Sequence, residues 1–397
     1  MKKRMAVLLV LCMVLFSSCG IALTKDGQVA IYSTLDIEKT GYYTTGKDLL
    51  SRDMQKNYDK LEKLIYKLQP EMSVKNMNRQ EIEQLIKYFC ADNPQVFWLN
   101  SNYSLEHNVV TRDITSVNLG YYYTDMETGE DVAYTNEQVE TMNTEMENAA
   151  GRILSGLNSN ASEYEKAQYL HDYLASTVSY DETGSFQHNA YGALVDQRAV
   201  CDGLASAYMY LLQQAGMESR IVYGVSEEGI SHAWNVVRID GEYCHIDITW
   251  DMPPQDTSTI LYTNFGLTDE QADANRTIFT PFEDDAASKN SVYVPIPHSI
   301  TEEYNYYRYY NLYFTSVDDK ELDRLFDTLN SAVEQKQPEV QIQFAEHEDF
   351  LQFVEDVSSG MNPSFYQFPY SNSQRETTIS TIDEENLVIF QFVYTAS

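Results

Sequence analysis

The chain has 397 residues, 43% of them hydrophobic and 13% aromatic, which is enough apolar material for a full-sized core and enough length for two or three domains. Its 60 acidic residues against 27 Lys and Arg leave a formal charge of -33, a field that repels phosphate backbones and excludes nucleic acid as a partner. The acid is dispersed rather than gathered into a tail, as on a solvated surface.

The first twenty residues, MKKRMAVLLVLCMVLFSSCG, run from a basic start through an apolar core (Met5 to Phe16) to Ser17, Ser18 and Cys19. The apolar run is too short to span a bilayer as a mature helix. Small residues before a cysteine at this distance resemble the lipobox of bacterial lipoprotein signal peptides. That resemblance implies a signal peptide at 1–18, cleavage before Cys19 and a diacylglycerol on its sulfur. The expected location is the outer face of the bacterial cytoplasmic membrane, or the medium if Cys19 stays unlipidated. The membrane is then a partner only through that anchor. Three mature cysteines remain, Cys90, Cys201 and Cys244. A disulfide framework would carry more, in an even set, and Cys90–Cys244 is the one pairing that leaves Cys201 free.

Residues 19–47 read as a tether. Apolar residues at Leu49, Leu50, Met54, Leu61, Leu64, Ile65 and Leu68 predict an amphipathic helix over 48–68, and Asn78 is a plausible N-cap for a second over 78–89. Two stretches, 96–105 and 113–125, alternate β-branched or aromatic with polar residues and predict strands. Asn136 to Leu157 returns to helix. These elements make 48–158 an N-terminal α+β domain.

In 159–299, a helix over 162–176 leads to RAVCDGLASAYMYLL, a helix from Cys201 that Gly216 is placed to end. SRIVYG predicts a strand, and HAWNVVRIDGEYCHIDITW a β-hairpin turning at Asp240-Gly241. From about 300 a third α+β unit follows: a strand at 309–316, a helix at 318–333, a strand at 339–345, a helix at 347–359 and a closing hairpin over 377–394. It holds no cluster that carries chemistry, and there is no internal repeat.

A two-residue turn at 240–241 pairs 239 with 242, 237 with 244 and 234 with 247, and extends to 232 with 249. His232 then lies on the face of Asp247 and diagonal to it, within reach of the carboxylate. Cys244, Ile246 and Ile248 fall on the opposite, core face. A cysteine at a helix N-terminus feels the positive end of the macrodipole, which favours thiolate, and a carboxylate behind the histidine fixes its orientation. Cys, then His, then Asp is the order expected of a cysteine-nucleophile acyl-transfer site, with the Cys201 backbone N–H open to an oxyanion.

AVCDGLASAYMYLL followed by SHAWNVVRIDGEYCHIDITWD resembles the transglutaminase-like superfamily. The likeness is greatest to exported bacterial members marked by a VC-[DE]-G helix start, an HAWN strand and a D-x-TWD strand. The resemblance covers about 160–255 and includes the lead-in YGALVDQRAV. It implies Cys201 as nucleophile, His232 as general base and acid, and Asp247 as orienting carboxylate. It further implies an α+β, papain-like core, a nucleophile helix on an antiparallel sheet, flanked by the smaller domains at 48–158 and 300–397.

Around these, Trp234 and Trp250 are expected to wall the cleft, Tyr191 and Tyr180 to line it, and Gln197 to be a candidate oxyanion donor. His245 is expected to support Asp247, Asn235 to brace the hairpin, Asp202 to cap the helix, and His171 and His188 to be surface or scaffold residues. No spacing reads as a zinc or calcium site, so neither a metal nor another cofactor is expected. The expected function is a cell-surface cysteine enzyme acting on amide bonds through a thioester. It would be a peptidase or amidase, or a crosslinking acyl transferase, with a protein or peptide substrate, wall peptide included. The alternative is a non-catalytic surface module that binds wall polymer or a protein.

Overall fold

The computed structural model describes residues 46–395 apart from 101, 255–256, 280–293, 361–364, 366–371 and 373, and the backbone of two short strands, Ile21–Leu23 and Val29–Ile31. The signal-peptide reading of 1–18 and the lipidation reading of Cys19 lie outside these residues.

Helix α1 (Arg52–Ile65) begins where the Ser51 hydroxyl accepts from the Met54 N–H, and it buries Met54, Tyr58, Leu61 and Ile65. After a short strand, β1 (Glu71–Ser73), Asn78 caps α2 (Arg79–Asp92) in a reciprocal capping box with Glu81. The predicted strand over 96–105 forms only at its end, as β2 (Tyr103–His107). Its front half instead drives Trp98 into the core, where the indole N–H donates to the Ile65 carbonyl at 3.2 Å. The stretch 113–125 splits into β3 (Ile114–Leu119), which pairs with β1 and β2, and β4 (Tyr122–Thr124), which pairs with β5 (Asp131–Ala133). Helix α3 (Asn136–Leu154) follows.

The central unit opens with α4 (Glu163–Thr177), capped by Ser162. A minimal parallel pair, β6 (Ser179–Tyr180) and β7 (Arg198–Ala199), brackets the approach to α5 (Cys201–Gln214). Then come β8 (Ser219–Ser226), β9 (Ser231–Ile239), β10 (Glu242–Ile246), α6 (Ile248–Asp251), β11 (Phe265–Leu267), α7 (Asp269–Asp273) and β12 (Arg276–Ile278). The sheet order is β11-β10-β9-β8-β12, antiparallel throughout, and α5 packs on its face. One hydrophobic cluster runs from Leu50 through Ile153 to the inner side of α5 and to Cys244 and Ile246, so the N-terminal elements and the central unit share a core.

The C-terminal unit contains α8 (Tyr306–Tyr309), β13 (Tyr313–Phe314), α9 (Asp319–Glu334), β14 (Glu339–Phe344), α10 (His347–Ser359), β15 (Arg375–Ile382) and β16 (Leu387–Tyr394). It has its own cluster around Phe326, Phe353 and Phe390, beneath a sheet ordered β13-β14-β16-β15. The predicted strand over 309–316 shrinks to two residues because Asn305 caps the preceding tyrosines into a helical turn, its side chain accepting from the Arg308 N–H at 3.3 Å. Those tyrosines form a seam with the central unit: Tyr309 stacks on Tyr164 at 3.6 Å and Tyr306 on Tyr262 at 3.7 Å. Much of the abundant tyrosine thus works inside the fold. Cys90, Cys201 and Cys244 are all free thiols, so the Cys90–Cys244 pairing does not form.

Candidate active site

Two close backbone approaches fix the position of Cys201. The Val200 N–H donates to the Gln187 carbonyl at 3.0 Å, which lays the segment around 187 across the start of α5. Any Cβ at Gly203 would sit 2.2 Å from that same carbonyl oxygen, so the glycine of CDG is what lets the first turn pass beneath it. Val200 is the N-cap and offers no capping side chain. The Cys201 and Asp202 N–H groups are therefore not taken up by an N-cap side chain. Asp202 is not the cap: at the second helical position it accepts from the Gly203 N–H and bonds His188 Nδ1 at 2.9 Å. Cys201 is partly exposed and rests on Ala205, Met209, Ile221 and Ala233.

The hairpin supplies the other two groups. Asp240 and Gly241 have φ of 49° and 101°, the left-handed pair a tight two-residue turn requires. The register is the expected one, with Ile239 opposite Glu242 and Val237 opposite Cys244. The sequence expectation fails beyond Ile246. DITWD does not continue as a strand, and His232 has no Thr249 across from it. Instead Asp247 is the N-cap of α6, and its Oδ1 accepts from the Trp250 N–H at 3.3 Å. Capping fixes one carboxylate oxygen and turns the other, Oδ2, toward His232, whose Nε2 lies 2.6 Å away. With Nε2 committed to Asp247, Nδ1 is the nitrogen left for the Cys201 sulfur. Cys201 bonds the ring and contributes less to it than Asp247 does.

Burial pulls the His232 pKa down, but the Asp247 charge and hydrogen bond, with a smaller contribution from Cys201, outweigh it and raise it from 6.5 to about 9. The ring is also sandwiched: Trp250 stacks on it at 4.9 Å and 15°, Trp234 at 5.6 Å and 21°. Indole faces favour an imidazolium between them and hold the ring plane. Trp250 and Trp234 are thus walls of the histidine's own slot.

No pattern in the sequence marks Arg276, which lies on the edge strand β12. The residue is only 2% exposed. Nη1 donates to Asp247 Oδ2 at 2.6 Å, the oxygen His232 uses, and Nη2 bonds Asn264 Oδ1 at 2.5 Å. The plane lies 3.9 Å from the Trp250 ring and 5.0 Å from Trp234. Burial lowers the Arg276 pKa and Asp247, then Asp251, offset only part of that, but a guanidinium starts so high that the group stays a cation. Asn264 links it to a second pair, since Asp251 Oδ1 accepts from the Asn264 N–H at 2.9 Å and Asp251 lies 3.3 Å from His171 Nε2. His171 is fully buried, a scaffold residue and not a surface one.

The remaining expectations divide. His245 supports the slot, accepting from Trp234 Nε1 at 2.9 Å and bonding Asp269 through Nε2 at 3.0 Å. Asn235 braces the nucleophile helix and not the hairpin, donating to the Ala205 carbonyl at 3.0 Å. Tyr180 is half exposed and close enough to Cys201 that, after burial, that sulfur is the main cause raising its phenol pKa. Tyr191 is not brought to the cysteine: its hydroxyl bonds Glu145 at 2.6 Å and its ring packs on Phe97 and Phe186. Gln197 is exposed with φ of 55° after a wide helical turn at 192–196, and its carbonyl accepts from the Ser179 N–H at 2.9 Å. Among the described residues its side chain makes no hydrogen bond to Cys201, His232 or Asp247. A cavity of 1280 Å³ beside α8 and α9 includes none of the three either.

A helix-borne thiol, an imidazole and a carboxylate thus stand together, with the imidazole bonded to the carboxylate. Residues 149–248 match the transglutaminase-like superfamily. The chain carries a transglutaminase-like domain. Among solved structures, the chain is similar to a TGase at 18% identity, over 47% of this chain and 52% of that one, with a TM-score of 0.28. It is similar to a candidate cysteine protease from Cytophaga hutchinsonii at 16% identity, over 42% and 60%, with a TM-score of 0.23. A third, calcium-bound LapG from Legionella pneumophila, is 13% identical over 43% of this chain and 88% of that one, with a TM-score of 0.24. The overlap spans little more than half the length of the first two, and TM-scores this low carry no functional weight. No curated protein matches the chain.

Proposed function

We propose that the transglutaminase-like domain is a cysteine acyl-transfer enzyme that acts on amide bonds at the cell surface. The observation that carries this reading is the His232–Asp247 bond of 2.6 Å, buried beside a partly exposed Cys201 at a helix N-terminus. The Cys201 sulfur attacks the amide carbonyl carbon, forming a C–S bond. The oxyanion accepts from the Cys201 N–H. The C–N bond breaks as imidazolium Nδ1–H gives its proton to the departing amine, leaving a thioester and neutral His232. Nδ1 then takes a proton from the second nucleophile, whose oxygen or nitrogen bonds the carbonyl as sulfur leaves.

Water is the default second nucleophile, which favours peptidase or amidase action over crosslinking. A protein or peptide substrate outside the cytoplasm, wall peptide included, accords with the N-terminal lipoprotein reading. Labelling with iodoacetamide and a glutamine-mimetic probe across pH tests the assignment. Wild-type protein labels at Cys201 and Cys201→Ala loses that labelling, while the exposed Cys90 labels alike in both; a Cys201 no more reactive than Cys90 removes the nucleophile from the proposal.

A further inference from the structure

Four of the 27 basic residues in this acidic chain form one row. Lys56, Lys60, Lys63 and Lys67 recur at helical spacing along α1 and the turn after it, and all four are exposed. At about 100° per residue they fall within a wedge of roughly 60°, diametrically opposite the buried row Met54, Tyr58, Leu61 and Ile65. The row is about 16 Å long at 1.5 Å per residue. Together with Asp59, Leu64 and Gln69 it lines a shallow groove of 440 Å³. Lys56 pairs with Asp53 at 2.8 Å and Lys60 donates to the Ser73 carbonyl. Among the described residues, Lys63 and Lys67 have no carboxylate at ion-pair distance. Asp53, Asp59 and Glu62 flank the row without breaking it, and Asp59 is itself held by Lys47.

We infer that this lysine row is a docking face for the anionic headgroups of a lipid bilayer. An outward row of cations on a straight helix presents a flat, charge-complementary strip with no deep phosphate cradle, which suits a surface better than a single ion. A bilayer is favoured over a soluble polyanion by position in the chain. Helix α1 is the first long helix after the tether, and the lipoprotein reading, on which this choice of occupant rests, places lipid on Cys19 just ahead of it. Docking there turns the basic side of an otherwise acidic molecule to the membrane and fixes how the tethered domain stands.

The test compares binding of the full chain to vesicles of phosphatidylcholine alone and of phosphatidylcholine with one-third phosphatidylglycerol, at low and high salt. The N-terminus is the same in every arm, so failure of the anchor reading, seen as an unmodified Cys19 by mass spectrometry, is distinct from failure of the docking face. Net charge alone predicts weaker binding to the anionic vesicles; the oriented row predicts stronger binding that salt removes. A lysine near such a surface is worth about fivefold, or about 1 kcal/mol at 1.4 kcal/mol per tenfold. Changing the four together to Gln is expected to reduce binding to the anionic vesicles at least about tenfold. Lys166→Gln with Lys336→Gln leaves it unchanged. Indifference to phosphatidylglycerol, or a preference that survives the fourfold change in a variant with an unaltered circular dichroism spectrum, overturns the inference. So does competition by soluble polyglycerol phosphate at matched phosphate, which makes the partner a wall polymer.

Discussion

Replacing Arg276 by Met keeps the apolar contact with Trp250 and removes the charge. In wild-type protein two cationic donors, Arg276 Nη1 and His232 Nε2, converge on Asp247 Oδ2 at 2.6 Å each. Without the guanidinium, Asp247 keeps one partner in a site where it is 1% exposed, and removing one member of a buried ion pair costs about 3–5 kcal/mol. The uncompensated carboxylate then bears on His232 alone and raises its pKa further. Asp251 and Glu385, the other carboxylates that face Arg276, act in the same direction once it is gone. The carboxylate also loses a fixed bond, and a displacement on the order of 1 Å costs about 10²-fold in rate. Urea unfolding, a histidine NMR titration and the pH profile of Cys201 acylation read these three effects. Arg276→Lys, which retains charge but not the second bond to Asn264, is expected to fall between. If Met leaves stability within about 0.5 kcal/mol and His232 titrates unmoved, the coupling drawn here between Arg276 and the triad is wrong.

The His232 pKa near 9 gives a pH signature, because leaving-group protonation needs the imidazolium: acylation falls as pH rises through 9, whereas iodoacetamide alkylation of the thiolate does not. Since the folded value lies above the ordinary 6.5, the stability that His232 contributes is full below 6.5 and lost as pH climbs through 9; a thermal melt series that strengthens across that window contradicts it. Asp247→Asn removes the anion but keeps a side-chain oxygen for the α6 N-cap, so the His232 pKa drops by NMR, while the buried Arg276 loses its counter-charge at a cost of about 3–5 kcal/mol; an unmoved titration assigns the raised pKa elsewhere. Gly203→Ala puts a methyl 2.2 Å from the Gln187 carbonyl and is expected to cost about 1–3 kcal/mol and slow Cys201 alkylation, and neutral behaviour in both denies the tight crossing a role.

Local chemistry made much of this site legible. Asp240-Gly241 dictates the turn, the turn dictates the register, and the period of two then puts His232 and Asp247 on one side and Cys244 and Ile246 on the other. What followed Asp247 misled because alternation through HIDITW is what a strand looks like, while the side chain that stops it, a capping aspartate, acts three residues ahead through one hydrogen bond. Arg276 was invisible for another reason. It lies on a three-residue edge strand 29 positions beyond its partner, with no periodicity to mark it. Tyr191 and Gln197 lie near Cys201 along the chain, which does not fix where their side chains go. The wide turn at 192–196 instead directs Tyr191 to Glu145 and leaves Gln197 at the surface. The tyrosine seam was equally hidden, because Tyr164 and Tyr309 meet only once the C-terminal unit docks.

The most direct test of the central claim is to trap the acyl group. Incubation with peptide and wall-peptide amides, acid quench and mass spectrometry of the Cys201 tryptic peptide should show a thioester adduct whose mass names the donor. The adduct should be absent in Cys201→Ala and, in Asp247→Asn, should form more slowly. A Cys201 that stays unmodified under every donor, while the folded protein binds those donors tightly, would contradict acyl transfer and leave a binding module in its place.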